Sequence, residues 1–461
     1  MSSAPSNSKS NARVVWRIFT ILWCLFCLYG CVWPTWKVTW WLTDPALRQP
    51  GIPRLAWDVH PGLSDRFAEW ANERLHPAAE VADSPMQIAD TEWPLFSTSF
   101  YMRATSAMQE AWDSDASIQS SRPSPKIQAR AAIDAAASLA VDPRQAMWVR
   151  KMWGDDLYLR HQNLFYRFLV VTILTEHAAL TGSTNHQETL RQQVTSLVAE
   201  LRASPIGWLP DYPKECYPAD VAATVAAIRR ADRVLGTDHA SFVIEMERGF
   251  THERMDRMLG LPGFTGTWIT GESGRANGCG SAWFLLNGPD VWRPELSRQW
   301  YANWEKHFWS HSWKVAGWRE YPNFKEESDQ FIDGNVDSGP IVLGLGTSAS
   351  AFGLGTARAH GRFDHAWPLS AQAVGLCWPL AGYGLPLPRL ASTSTHAPYT
   401  GEASLLFALT RQPAPDMKTV QGGGITAFAL VIPLLAWLTT WLCCRRAWRM
   451  IRKHFLIRNK T

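Results

Sequence analysis

Charge is scarce in this 461-residue chain. Asp, Glu, Lys and Arg make up 19% of it, and 45 basic against 41 acidic side chains leave +4. Nucleic-acid binding, which needs a basic patch or stripe, has no support in such a balance. Sustained Val/Ile/Thr alternation is nearly missing, which argues against a sheet-based fold. No Walker loop, G-x-S-x-G elbow, H-E-x-x-H helix or Cys/His zinc set occurs, so the sequence indicates neither a metal nor a cofactor. His307 and His311 have i,i+4 spacing but lack the glutamate of a zinc helix. Cysteine is sparse outside the apolar ends: of eight, only Cys216, Cys279 and Cys377 lie between them, and an odd number completes no disulfide framework. For Cys216 and Cys279 a reactive thiol, a cleft disulfide and an inert buried thiol all stay open.

Tryptophan is what the chain has in excess, 26 residues against 10 Tyr and 19 Phe. With 46% hydrophobic residues this excludes a disordered or collagenous chain. The few charges are also unevenly placed. Residues 1–17 carry +3 and residues 445–461 carry +7, with no acid in either, so the long middle is acidic at −6. Beside each basic end lies an uncharged apolar run, 18–36 and 425–444, about the 20 residues that a bilayer-crossing helix needs. Trp33, Trp36, Trp40 and Trp41 follow the first run as an interfacial belt would. The first run is too long for a cleaved signal peptide, and no A-x-A-like site follows it. The positive-inside rule then puts both termini in the cytoplasm and residues 37–420 outside it, in a periplasmic space if the envelope has one. The expected partners are a lipid bilayer and a substrate, with no nucleic acid, and the oligomeric state is open.

Within the middle segment, helical periodicity dominates. Six runs begin with a small or polar cluster and continue apolar on nearly all sides, near Ser97, Asn163, Pro218, Gly278, Asp337 and Thr400. Their separations are 66, 55, 60, 59 and 63 residues. Runs with one polar face accompany them over 65–75, 126–140, 186–203, 241–259, 294–309 and 363–373. All-round apolar helices are buried and amphipathic ones face water. Six alternations give an inner and an outer ring, an all-α (α/α)6 toroid flanked by two transmembrane helices, with an irregular helical bundle as the alternative.

The order Tyr217-Pro218-Ala219-Asp220, Gly278-Cys279-Gly280-Ser281-Ala282-Trp283, Arg319-Glu320-Tyr321-Pro322 and Asp337-Ser338-Gly339-Pro340, spread over residues 97–409, resembles the segments that open the inner helices of six-hairpin glycosidase-like proteins. That resemblance implies a cleft where the inner helices begin, with carboxylates acting on glycans. The same toroid also serves the terpenoid dehydratase-isomerase type of lyase, which works with Asp, Tyr, His and Cys.

Polar residues near the helix starts would converge on one cavity. Glycoside chemistry needs one protonated and one ionised carboxyl, and Asp220, Glu272, Glu320 and Asp337 are the catalytic candidates. Tyr217, Arg275, Cys279, Trp283, Trp318, Tyr321, His161 and Tyr399 are the substrate-binding candidates. Each acid has a structural alternative: Asp337 as a helix cap, Asp220 as a first-turn acid favoured by the dipole, Glu320 as a solvated charge. The expected function is a membrane-anchored hydrolase or lyase on a glycan. A lyase or isomerase on a hydrophobic terpenoid-like substrate and a non-catalytic envelope scaffold are the alternatives. Gly344-x-Gly346 and Gly353-x-Gly355 read as close-packing positions in a helix rather than a nucleotide loop. Trp300, Trp304 and Phe308 share one helix face and read as core.

Overall fold

A computed structural model describes residues 7–76, 88–252, 254–267, 273–323, 332–335, 338–380, 384–391 and 396–453. It is mostly helical, with only short strands among the described residues. Twelve helices matter for the site: α1 (Arg54–Leu75), α2 (Ile88–Ser114), α3 (Arg130–Val141), α4 (Leu164–Thr181), α5 (Gln187–Ala203), α6 (Pro218–Leu235), α7 (Ala240–His252), α8 (Gly278–Asn287), α9 (Pro294–Phe308), α10 (Thr347–Ala359), α11 (Phe363–Leu376) and α12 (Thr400–Thr410).

The even-numbered helices form a closed cycle of contacts. α2 packs on α4, α4 on α6, α6 on α8, α8 on α10, α10 on α12, and α12 returns to α2. The odd-numbered helices pack against this cycle. Sequence explains the division. α4 has 14 buried residues and α8 is buried throughout, whereas α5 buries only the stripe Leu190, Gln193, Val194, Leu197, Val198 and Leu201. Aromatic rings from five even helices fill the middle of the cycle. Trp283 lies 5.6 Å from Phe96, 6.2 Å from Phe168 and 5.1 Å from Phe352, and Phe100 lies 5.3 Å from Phe407.

Local chemistry sets the helix starts. Pro218 occupies the first turn of α6, where its missing N–H costs nothing. The Asn277 side chain accepts from Gly280 N at 2.8 Å and caps α8. Gly278 is required there: a Cβ would stand 1.9 Å from the Arg319 carbonyl oxygen. Gly353 and Gly355 lie in α10 against Trp318 and against Leu286 and Ala408, the close packing that their sequence suggests.

Several expected boundaries are corrected. α2 starts at Ile88 rather than Ser97 and carries Pro94 inside it; α1 starts at Arg54 and carries Pro61. The run 126–140 is two helices, Pro125–Gln128 and Arg130–Val141. The run 241–259 stops at His252, and Met255–Asp256 is a strand paired with Leu261–Pro262. The expected helix over 337–360 is an antiparallel hairpin, Gly339–Val342 with Leu345–Gly346, followed by α10. Positive φ at Leu343 and Gly344 turns that hairpin.

Three helices are long and apolar enough to cross a membrane: Val14–Leu42, Leu164–Thr181 and Ala427–Ile451. The middle one is α4, 78% buried inside the cycle, against 17% for each of the other two. The terminal pair pack on one another. Thr35 and Thr440 hydroxyls meet at 3.0 Å, and Trp437 Nε1 donates to Thr39 Oγ1 at 3.0 Å.

Candidate functional site

Where the even helices begin, buried carboxylates gather. Glu92 is on the second turn of α2, Asp211 in the loop before the strand Glu215–Cys216, and Asp220 in the first turn of α6. Glu92 and Asp211 are fully buried and Asp220 nearly so. Tyr212 OH donates to Glu92 Oε2 at 3.0 Å, Tyr217 N donates to Asp211 Oδ2 at 2.7 Å, and Trp283 Nε1 donates to Asp220 Oδ1 at 2.8 Å. Glu92 Oε1 has no hydrogen-bond partner among the described residues.

Burial governs the protonation of this group. It pushes the Glu92 carboxyl up to about 8; the negative charge of Asp220 adds to the shift and the Tyr212 hydroxyl opposes it. Asp211 is raised well above its ordinary range, first by burial and then by Asp220. A carboxyl that keeps its proton at neutral pH can serve as an acid among like side chains. The Tyr212 ring stands 5.7 Å from Trp148 and 6.1 Å from Tyr217, and Tyr217 stands 5.5 Å from Phe264. This wall is aromatic.

Two further buried acids lie at helix starts around the same end. Glu320 sits between α8 and α10: its carbonyl accepts from Gly278 N at 2.8 Å and its amide donates to Gly344 O at 3.1 Å. A Cβ on Gly346 would come 2.6 Å from Glu320 Oε2. Glu402, in the first turn of α12, accepts from Leu385 N at 2.8 Å and from Arg66 at 3.2 Å, and burial raises its pKa.

Asp220, Tyr217 and Trp283 thus belong to one cluster. Cys279 is buried in the first turn of α8, next to the Gly278–Glu320 contact. Trp318 is fully buried and stacked on Trp304 with ring centroids 3.4 Å apart, in the same core as Trp300 and Phe308. Tyr399 packs beside Trp70, with the Arg66 and Arg389 guanidiniums over its ring. Arg275 and Tyr321 are exposed. His161 is exposed too, with Nδ1 3.8 Å from Glu200 on α5. Glu272 and Asp337 lie outside the described residues. Glu92 and Asp211 were absent from the sequence candidates. Glu92 precedes a proline that mimics a helix boundary, and Asp211 lies in a loop with no periodic pattern to mark it.

All three cysteines between the apolar ends are buried, and none forms a disulfide among the described residues. Burial, helped by Asp211, pushes the Cys216 thiol up to about 12, far from the thiolate that a nucleophile needs. Among the described residues no three His, Cys, Asp or Glu side chains are grouped to hold a metal ion.

The opposite end, where the even helices finish, holds a cavity of about 1060 Å³. Its acids are matched to arginines. Glu176 pairs with Arg230; Asp290 accepts from Arg411 at 2.8 Å and has Arg103 at 3.6 Å. Burial would raise Asp290, but Arg411 and Arg103 hold its carboxyl below the ordinary range.

No protein-family model matches this sequence, and no match to a curated protein is found.

Proposed function

We propose that residues 37–420 form an (α/α)6 toroid, anchored by two membrane helices with both termini in the cytoplasm, that carries out acid–base chemistry on a hydrophobic substrate. The closed cycle of even helices supports the toroid, and the exposed apolar surface of the two terminal helices supports the anchoring. The basic, acid-free ends support the orientation.

One observation carries the chemistry: Glu92 is fully buried, its carboxyl pushed up to about 8, beside Asp220 and an aromatic wall. Such a carboxyl is a general acid whose pKa suits neutral conditions. In a dehydration, the Glu92 proton passes to a substrate hydroxyl, the C–O bond breaks and water leaves. The cation that remains is steadied by aromatic faces. Asp220 then removes a proton from the adjacent carbon, and the C–H electron pair forms the new double bond. Isomerisation parts from this route at the cation: water adds at another carbon before any C–H proton is lost, and its extra proton returns to the Glu92 carboxylate.

Cleavage of a glycan is the second reading. The number of buried carboxylates at helix starts favours it, namely Glu92, Asp211, Asp220, Glu320 and Glu402. The burial of Trp283 and Trp318, the two tryptophans among the substrate-binding candidates, argues against it.

The test uses full-length protein in lipid nanodiscs. Unsaturated isoprenoid alcohols are followed by gas chromatography, and polysaccharides by reducing-end release. Dehydrated or isomerised alcohol from the wild type, lost in Glu92→Gln and in Asp220→Asn, is the expected result. Sugar release alone, or product formation unchanged in Glu92→Gln, overturns the reading.

A further inference from the structure

The carboxylate end of the helix cycle faces the same way as the membrane helices, and the packing of α11 reveals it. α11 leads from the arginine end towards the carboxylate end, antiparallel in sequence order to its partner α10. Its first half lies beside the exit of the N-terminal apolar helix, with Arg48 over the Trp367 ring at 3.9 Å. Its last turns meet the start of the C-terminal one. Gln372 accepts from Thr426 Oγ1 at 2.9 Å, and a Cβ on Gly375 would touch the Ala429 carbonyl at 2.7 Å. Beyond α11, Trp378 lines a small cavity with Cys31, Ile432, Leu435, Ala436, Thr439 and Thr440, residues well inside the two apolar helices. The chain therefore enters the apolar layer as it passes the carboxylate end.

Apolar side chains stand in solvent around this end. Leu390 is 76% exposed and Leu387 42% on the segment that leads into α12. Leu343, 55% exposed beside Val342, forms the hairpin tip before α10. Trp313, 73% exposed, tips the hairpin Trp309–His311/Ala316–Trp318, whose Trp313 and Lys314 carbonyls accept from Ala427 and Phe428 at the start of the C-terminal apolar helix. Lys314 lies against the Trp313 ring, the aromatic–cation pairing of a membrane interface. Isolated exposed leucines need no explanation, but a set gathered at one end of the helix cycle beside two apolar helices does.

We propose that this end of the domain is seated on the bilayer, with Trp313, Leu343, Leu387 and Leu390 in the interfacial layer, so that a lipophilic substrate passes from the membrane to the Glu92–Asp220 cluster without crossing water. The proposal rests on the anchored-enzyme reading above and supplies its route of substrate access.

The test places the photoreactive residue p-benzoylphenylalanine, one position at a time, at Leu343, Leu390, Leu434 and Asp238 of the full chain in nanodiscs of phosphatidylethanolamine and phosphatidylglycerol. Leu434 is 62% exposed on the C-terminal apolar helix, and Asp238 lines the arginine-end cavity. After illumination, lipid adducts are quantified by mass spectrometry. Positions 343 and 390 are expected to give roughly tenfold more adduct than position 238, as interfacial burial of an apolar side chain requires. Adduct at 434 with none above the 238 level at 343 and 390 overturns the proposal while leaving the anchoring intact. Failure at 434 as well removes the anchoring and the proposal together. Failure of the enzyme reading shows separately, as turnover unaffected by Glu92→Gln.

Discussion

Glu92 and Asp211 at one end of the helix cycle are held by a tyrosine hydroxyl and a backbone amide, whereas Glu176 and Asp290 at the other end are held by arginines. Glu92 lies on α2 and Glu176 on α4, with Asp211 and Asp290 in connecting segments; burial raises Glu92 and Asp211, and arginine depresses Asp290. A cavity of about 1060 Å³ lies at the arginine end. Volume alone would have chosen that end, and electrostatics chooses the other. A carboxylate whose charge is fully answered by a guanidinium is structural material, while one that is kept protonated by its surroundings has a proton to give.

The sharpest way to break this contrast is to neutralise one acid at each end. Glu92→Gln should lower turnover by about 10²–10⁴-fold while leaving circular dichroism and melting temperature unchanged or improved. Asp290→Asn should leave turnover within about threefold, since its site supplies no proton. Equal losses from both substitutions would erase the distinction. At the arginine end the effect should instead be on stability. Arg230→Met strands the fully buried Glu176 and should cost about 3–5 kcal/mol in denaturant unfolding. Adding Glu176→Gln to that variant should recover most of the loss.

The pH dependence of stability should also differ in sign between the ends. Glu92 holds its proton in the folded protein up to about 8, against an ordinary value of 4.5, so the unfolded chain releases the proton first. Its contribution is complete below 4.5 and is lost as pH rises through about 8, with a slope of at most about 1.4 kcal/mol per pH unit. Asp290, held below its ordinary 3.8, contributes above that value and loses its contribution as pH falls. Melting curves of wild type and Glu92→Gln between pH 5 and pH 8 should therefore diverge with rising pH, the wild type losing ground. The smallest effect is expected from Cys216→Ala. A thiol pushed up to about 12 is not ionised at working pH, so turnover should stay within about twofold.

Much of the helical scaffold was legible in the sequence because its signals are local. Pro218 at a helix start, the small cluster Gly278-Cys279-Gly280 and the apolar run after Asn163 each mark an element found within a residue of its expected start. Two kinds of signal misled. The small cluster at Ser97 suggests a helix start, yet α2 begins at Ile88 and runs through Pro94, whose carbonyl accepts from Thr98 Oγ1 at 2.7 Å, and so takes in Glu92. The stretch Gly339-Pro340-Ile341-Val342 was read as helix because small and apolar residues suit both structures, and only the left-handed backbone at Leu343 and Gly344 makes it a hairpin. The site itself was half legible. Asp220 carries its own mark as a first-turn acid, but its bond to Trp283 spans 63 residues, and Glu92 meets Tyr212 across 120. Periodicity along a chain carries no information about such pairs.

The most direct measurement is an infrared titration of the protonated-carboxyl stretch in nanodisc-embedded wild type and Glu92→Gln. A band that persists through pH 7, fades around pH 8 and is missing from Glu92→Gln is the expected result. A wild-type spectrum with no protonated carboxyl above pH 5, or one that Glu92→Gln leaves unchanged, would contradict the assignment of Glu92 as the proton-holding acid.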